Sequence, residues 1–398
     1  MEPIEQLMMR LIAFVVCGKP ISPVPAQLTD DQLTDLFRLA KAHDLAHLTA
    51  QAVLDLSLTE NAVWIGKCQQ QIFSAVHRYE KIRYELQRIE ALLADAQISY
   101  IPLKGAVIRA AYPAPWMRTS CDIDILIHDT DLAKATALLQ NTLAYEKKTQ
   151  GSHDVGLFSK SGVHLELHYS LLESNIVEKA EQVLTDVWDF ALLTDTPYQM
   201  AFREEMFNYY HIAHMAKHFQ NGGCGVRPFL DLWLLEHRIP HDEEKRNALL
   251  RAGGLIRFAD AAKKLADLWF GADVEKPTEL TQWMQDYILS GGVYGTVENS
   301  VMVWQVKKGG KLRYALSRIW LPYESLKFYY PSLGKHKWLL PFYEVRRWFR
   351  LLFCGGVKRS VRELQANQNV TEARSAQTKR MLTELALSEC EETKSKNP

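Results

Sequence analysis

The 398-residue chain carries 47 Lys and Arg against 47 Asp and Glu, so no global field draws it to nucleic acid or an anionic membrane, and any such attraction must be local. An apolar share of 47% is ordinary for a globular chain with sizeable cores and excludes a disordered one. Six scattered cysteines, Cys17, Cys68, Cys121, Cys224, Cys354 and Cys390, form no CxxC pair, which argues against a zinc ribbon or a disulfide framework and fits a reducing cytoplasm.

Residues 11–17 are apolar, but Glu2 and Glu5 precede them and Arg10 abuts them, so the stretch reads as a buried helix rather than a signal peptide. No run approaches the length of a membrane-spanning helix, and the chain is expected to be soluble. Thr29-Asp30-Asp31-Gln32 has the form of a capping box, followed by Leu33, Leu36, Phe37 and Ala40 at helical spacing. Residues 70–96 predict a long amphipathic helix with Ile82, Leu86, Ile89, Leu92 and Leu93 as its stripe. Residues 1–97 thus form an N-terminal helical region.

A strand is expected over 98–103, then Lys104-Gly105, then a short helix broken by Pro113 and Pro115. The next strand is CDIDILI. Side chains on a strand alternate, so Asp122 and Asp124 share one face while Ile123 and Ile125 point into a core. Two such carboxylates suit Mg²⁺, which prefers oxygen ligands and lets substrate phosphates complete its shell. A helix over 131–140 and strands over 155–159 and 163–167 follow, the last placing His164, Glu166 and His168 on its polar face. Glu166 is the candidate third carboxylate, allowing a second metal to activate an attacking hydroxyl. The core is bounded at 98–195.

Around it, Lys104-Gly105 reads either as a phosphate contact, with glycine admitting the backbone, or as a plain turn. Arg118 reads either as a phosphate ligand through its planar fork or as a structural partner of a carboxylate. The helical region at 196–360 contains His211, His214 and His218 at helical spacing. With His164 and His168 nearby in sequence, they suit either a transition metal or, the favoured reading, hydrogen-bonded core and cleft positions. Arg227 and Asp231 are candidates for orienting an acceptor or base, with His168, His211 and His214 beside them.

From 307 to 359 the charge turns basic, with Arg313, Lys337, Arg346 and Arg350 among many cations against Glu324 and Glu344, interleaved with Trp304, Trp320, Tyr323, Phe328, Tyr329, Tyr330, Trp338 and Trp348. That pattern fits RNA, an anionic membrane surface, or, by default, a helical region with buried aromatics. Residues 361–398 read as a polar helical tail, partly disordered.

The order LKG, short helix, Tyr112, Arg118, CDIDILI and HLELHYSL resembles the polymerase-β-type nucleotidyltransferase superfamily and, more narrowly, the bacterial uncharacterised nucleotidyltransferase family. The narrower resemblance runs on through HIAHMAKHF, RPFLDLWLL and residues 291–295, covering most of 30–350. It implies an α+β fold, a small mixed sheet flanked by helical regions, with Asp122, Asp124 and Glu166 as metal ligands. The broader superfamily usually has Gly-Ser where this chain has Lys104-Gly105. The implied reaction moves a nucleoside monophosphate from a nucleoside triphosphate to a hydroxyl of a small molecule, protein or RNA, with Mg²⁺ (Mn²⁺ as the substitute) and pyrophosphate release. The rivals are a nucleotide-binding or scaffold protein of the same fold without turnover, and an RNA-directed toxin-like transferase.

Overall fold

The computed structural model describes residues 3–388 except 172–177, 272–275, 294, 322, 324–325, 328–329, 335 and 354–356. Tyr294, Glu324, Phe328, Tyr329, Lys335, Cys354 and Cys390, which the sequence reading included, lie outside the described residues, as do the side chains of 351–360. The fold is α+β.

Four helices precede the sheet: α1 (Ile4–Cys17), α2 (Asp30–Ala42), α3 (Ala46–Asp55) and α4 (Ala62–Asp95). The apolar N-terminal run is a buried helix, with Leu11, Ile12 and Val16 fully enclosed. The capping box forms: Thr29 Oγ1 accepts from Gln32 N–H, and Gln32 Oε1 accepts from Thr29 N–H. Helix α4, about 50 Å long at the usual rise, lays Ile82, Ile89 and Leu93 on the sheet.

The five-stranded sheet has the order β1-β2-β5-β4-β3, from β1 (Tyr100–Pro102), β2 (Asp122–Ile127), β3 (Glu146–Gln150), β4 (Asp154–Phe158) and β5 (His164–His168). Only β2 and β5 pair in parallel, and their register sets Asp122 opposite His164, Asp124 opposite Glu166 and Leu126 opposite His168. One face carries Ile123, Ile125, Ile127, Leu165 and Leu167 into a core closed by α4 and α6 (Leu132–Leu143). The other turns Asp122, Asp124, Glu166 and His168 toward the second helical region. Between β1 and β2 lies only α5 (Gly105–Ile108) followed by 3-10 turns at Arg109–Ala111 and Pro115–Met117, because Pro113 and Pro115 stop the helix.

The predicted strands and helices are present with ends shifted by a few residues, except that α4, expected from residue 70, begins at Ala62. Helix α6 runs on to Leu143, ending where Ala144 adopts a left-handed conformation and its N–H reaches back to Leu139 O. Strand β3 went unpredicted: EKKTQ is exposed throughout and offers no apolar alternation, only charges that protect a sheet edge. A hairpin, β6 (Ala191–Leu193) with β7 (Met200–Phe202), follows α7 (Glu178–Val183).

Helices α8 (Glu204–Phe219), α9 (Arg227–Arg238), α10 (Glu243–Ala252), α11 (Ile256–Phe270), α12 (Glu279–Leu289) and α13 (Val297–Lys308) share one continuous apolar core with α1, α2 and α3. Then come α14 (Lys311–Ile319), α15 (Leu340–Phe353), α16 (Val357–Asn369) and α17 (Glu372–Glu384). The polar composition after residue 361 hides a narrow stripe, since Met381, Leu382, Leu385 and Leu387 join that same core.

His43 and His47 are buried where α2 and α3 meet the later helices. Burial pushes both imidazoles down to about 4, opposed by the Leu289 backbone at His43 and by the Met117 carbonyl, 2.8 Å from Nε2, at His47. A base whose folded value lies below its unfolded value near 6.5 stabilises the fold fully above 6.5 and progressively less down to 4. The urea midpoint is therefore expected to fall between pH 7 and pH 5, and His43→Leu to reduce that fall; a midpoint constant over the window would refute the assignment.

Candidate functional site

The site begins at Lys104, whose backbone sits at φ +43°, a conformation that costs a side-chain-bearing residue about 1–3 kcal/mol. That turn sends the side chain back over the sheet, where Nζ donates to Asp124 Oδ1 at 2.8 Å. Asp124 is buried and also accepts from His168 Nε2 at 3.0 Å, so the His168 proton facing it resides on Nε2. Glu166 Oε2 lies 3.5 Å from the same nitrogen. The candidate ligand atoms of Asp124, Glu166 and His168 all lie within 4.8 Å of one another. Asp122 stands at the mouth of this cluster, and its side chain makes no hydrogen bond or ion pair with a described residue.

The electrostatics follow from crowding. Burial would raise Asp124, but the Lys104 ammonium and the His168 hydrogen bond hold its carboxyl far below the usual range. Asp122 goes the other way: burial, then the neighbouring Asp124 and Glu166 charges, push it up against Lys104 and Arg118. The His168 hydrogen bond brings Glu166 down against burial. Burial pulls His168 down, yet its bonds to Asp124 and Glu166 leave it above its ordinary value. His168 Nδ1 is buried with no hydrogen-bond partner.

Helix α8 covers this face. Tyr210 presents a buried hydroxyl without a hydrogen bond, in the field of Lys104, Asp124, Glu166 and Asp122; burial raises it. His214 and His218 face one another, Nε2 to Nε2 at 3.1 Å, so one donates and the other accepts. Burial holds His214 well below its ordinary value and takes His218 down to about 4, which keeps both neutral. His211 is committed elsewhere, with Nε2 donating to the Pro228 carbonyl at 2.9 Å.

Arg118 lies behind the carboxylates. Its Nε and Nη2 form a fork on Asp231, with Nη2 to Oδ2 at 2.9 Å, and its Nη1 donates to Thr119 O at 2.9 Å. Tyr112 Oη donates to Asp231 Oδ1 at 2.7 Å, completing a buried triad. Gly105 is small because Arg118 passes it: a Cβ there would come within 3.1 Å of Nη1. Arg227 Nη1 donates to Asp44 Oδ2 at 2.9 Å and to Thr119 O at 3.1 Å. Asp44 also accepts from Arg78 and from Thr119 Oγ1, and Arg109 ties Gly105 O to Ser120.

Lys104, Asp122, Asp124, Glu166 and His168 therefore come together, whereas Arg118, Arg227 and Asp231 pin the loop that feeds β2, and His211 braces α9. Sequence reading grouped His168 with the helical histidines rather than with Asp124 and Glu166, and it missed Tyr210 as the cover and Asp44, Arg78, Arg109 and Thr119 as the brace. His168 was readable, since it lies two residues beyond Glu166 on the same strand face. Asp44 and Arg78 had no signal, because their partners are 34 to 183 residues away.

Comparison with known proteins points the same way. Residues 29–271 match the family described as uncharacterised nucleotidyltransferase. No curated protein matches the sequence. Among solved structures, the crystal structure of an antigenic nucleotidyltransferase-like protein from Paracoccidioides brasiliensis aligns at 16% identity over 50% of this chain and 95% of that one. Its TM-score of 0.29 is too low for the likeness to carry an argument. With the family match extending over well over half of its length, from the capping box of α2 to the end of α11, the chain belongs to the uncharacterised nucleotidyltransferase family.

Proposed function

We propose that the chain transfers a nucleoside monophosphate from a nucleoside triphosphate to a hydroxyl acceptor, releasing pyrophosphate, with Mg²⁺ or Mn²⁺ held by Asp122, Asp124 and Glu166. The observation that carries this reading is the parallel register of β2 and β5, which sets Asp124 beside Glu166 on one sheet face. The donor set fits: carboxylate oxygens suit a small hard cation, and burial together with the Asp124 and Glu166 charges pushes Asp122 up, a crowding that such an ion relieves. His168, with an unpartnered buried Nδ1, is a further candidate ligand.

A bound divalent ion would supply charge neutralisation at the phosphates and activation of the attacking hydroxyl. The chain's own residues supply the rest. Lys104 is the cation nearest the carboxylates, and a shift of its ammonium from Asp124 to a phosphate oxygen would offset charge as the bond to pyrophosphate breaks. Tyr210, buried, and His214, half-buried, lie on α8 over the sheet face and keep water from it.

One observation favours a second reading, a nucleotide-binding protein without turnover: Lys104 already neutralises Asp124, the most buried of the three site carboxylates. The test is label transfer and pyrophosphate release from each α-labelled nucleoside triphosphate in cell extract, with Mg²⁺ or Mn²⁺, comparing wild type with Asp122→Asn/Asp124→Asn. Labelling lost in the double variant is the expected result, and the labelled species identifies the acceptor class. Saturable triphosphate binding with no transfer above the double variant would establish the second reading.

A further inference from the structure

Helices α14 and α15 each turn an apolar stripe to solvent. On α14, Leu312, Leu316 and Ile319 recur at helical spacing opposite buried Tyr314, with Leu312 73% exposed. On α15 and the turn before it, Trp338, Phe342 and Phe349 recur likewise, 76%, 61% and 57% exposed. The opposite face of α15 is the packing face: Trp348 Nε1 donates to Ile319 O at 3.0 Å and Glu344, fully buried, accepts from Leu321 N–H and Arg347. The two helices are thus clamped together by one side of α15 while the large apolar residues stay outside.

Exposed cations flank the stripes: Arg313 on α14, and Arg346 and Arg350 on α15. The described acid in these two helices is Glu344, which is buried and bonded, and Glu363 pairs with Arg318 of α14, so the positive edge is carried by Arg313, Arg346 and Arg350. A second copy of the chain would bring arginine against arginine, which disfavours self-association. A single-stranded RNA would stack on aromatic rings, but half the apolar side chains here are aliphatic and offer no ring to a base. Leucine and isoleucine in one exposed stripe and tryptophan and phenylalanine in the other, each edged by arginine, match the boundary between acyl chains and anionic headgroups.

We propose that α14 and α15 dock the protein on an anionic membrane surface, lying in the interface. The attachment is peripheral, since no helix among the described residues is long and apolar enough to cross a membrane. It is independent of the nucleotide site.

The test is flotation of the full chain with vesicles of phosphatidylcholine, alone or mixed with phosphatidylglycerol. The chain is expected to float with the mixed vesicles and not the neutral ones, and rising salt is expected to release it. Arg313→Gln/Arg346→Gln/Arg350→Gln should lower the partition on the order of 100-fold. Trp338→Ser/Phe342→Ser/Phe349→Ser should abolish flotation with an unchanged melting temperature, because the side chains replaced are exposed. Equal binding to neutral vesicles, or no flotation at all, would overturn the proposal. So would absent flotation together with either retardation of a single-stranded RNA or a concentration-dependent dimer lost in the Trp338 triple variant.

Discussion

Asp124→Asn is expected to lower nucleotide transfer by about 10³-fold and to destabilise the fold by about 3 kcal/mol, and the second effect separates it from Asp122→Asn. Asp124 is the hub of the buried cluster: Lys104 Nζ and His168 Nε2 both donate to its Oδ1. Removing its charge leaves a largely buried ammonium without a counter-ion, and the cost of that is mainly the uncompensated Lys104. Asp122 makes no such contact, so Asp122→Asn should cost a comparable factor in transfer with little change in the urea midpoint. It should even relieve repulsion, because its carboxyl is held above the usual range by burial and by Asp124 and Glu166. The measurement pairs label transfer with urea unfolding for each single variant. Equal activity in wild type and Asp122→Asn would remove Asp122 from the metal-binding set, whatever Asp124→Asn did to stability.

The sequence carried the sheet face and withheld its frame. Alternation in CDIDILI and HLELH is local, so the sides taken by Asp122, Asp124, Glu166 and His168 could be read from a few residues, and the observed register sets the second Asp of one beside the Glu of the other. The capping box at Thr29 was legible for the same reason, as a contact across three residues. Arg118 was ambiguous because its planar fork suits phosphate and carboxylate alike, and only the fold brings Asp231, 113 residues later, to it. Asp44 carries no motif at all, yet it gathers Arg78, Arg227 and Thr119 from three distant segments. Strand β3, charged and exposed, forms because a neighbour offers an edge, which composition cannot report.

Asp231→Leu is expected to cost about 3–5 kcal/mol of stability, the largest loss from any single change at this end of the molecule, because it strands the Arg118 guanidinium in the interior. It also removes the acceptor of the Tyr112 hydroxyl, which is buried and costs about 1–3 kcal/mol when left unpaired. Burial alone would raise the Asp231 carboxyl, but Arg118 and His211, with bonds from Arg118 and Tyr112, bring it below its ordinary value. Its contribution is therefore present above the unfolded value of about 3.9 and is lost as pH falls through the folded one. Arg118→Met/Asp231→Leu/Tyr112→Phe removes donors and acceptor together and should restore most of the midpoint, since an apolar set of similar volume can replace a buried ion pair. It should also flatten the acid limb of the stability curve. The same variant decides what Arg118 does. Its Nε, Nη1 and Nη2 are all committed to Asp231 and Thr119, so the stable triple variant is expected to keep transfer within about tenfold of wild type. A variant that regains the midpoint but loses transfer by about 10² or more would show that one of those donors turns to the triphosphate during the reaction.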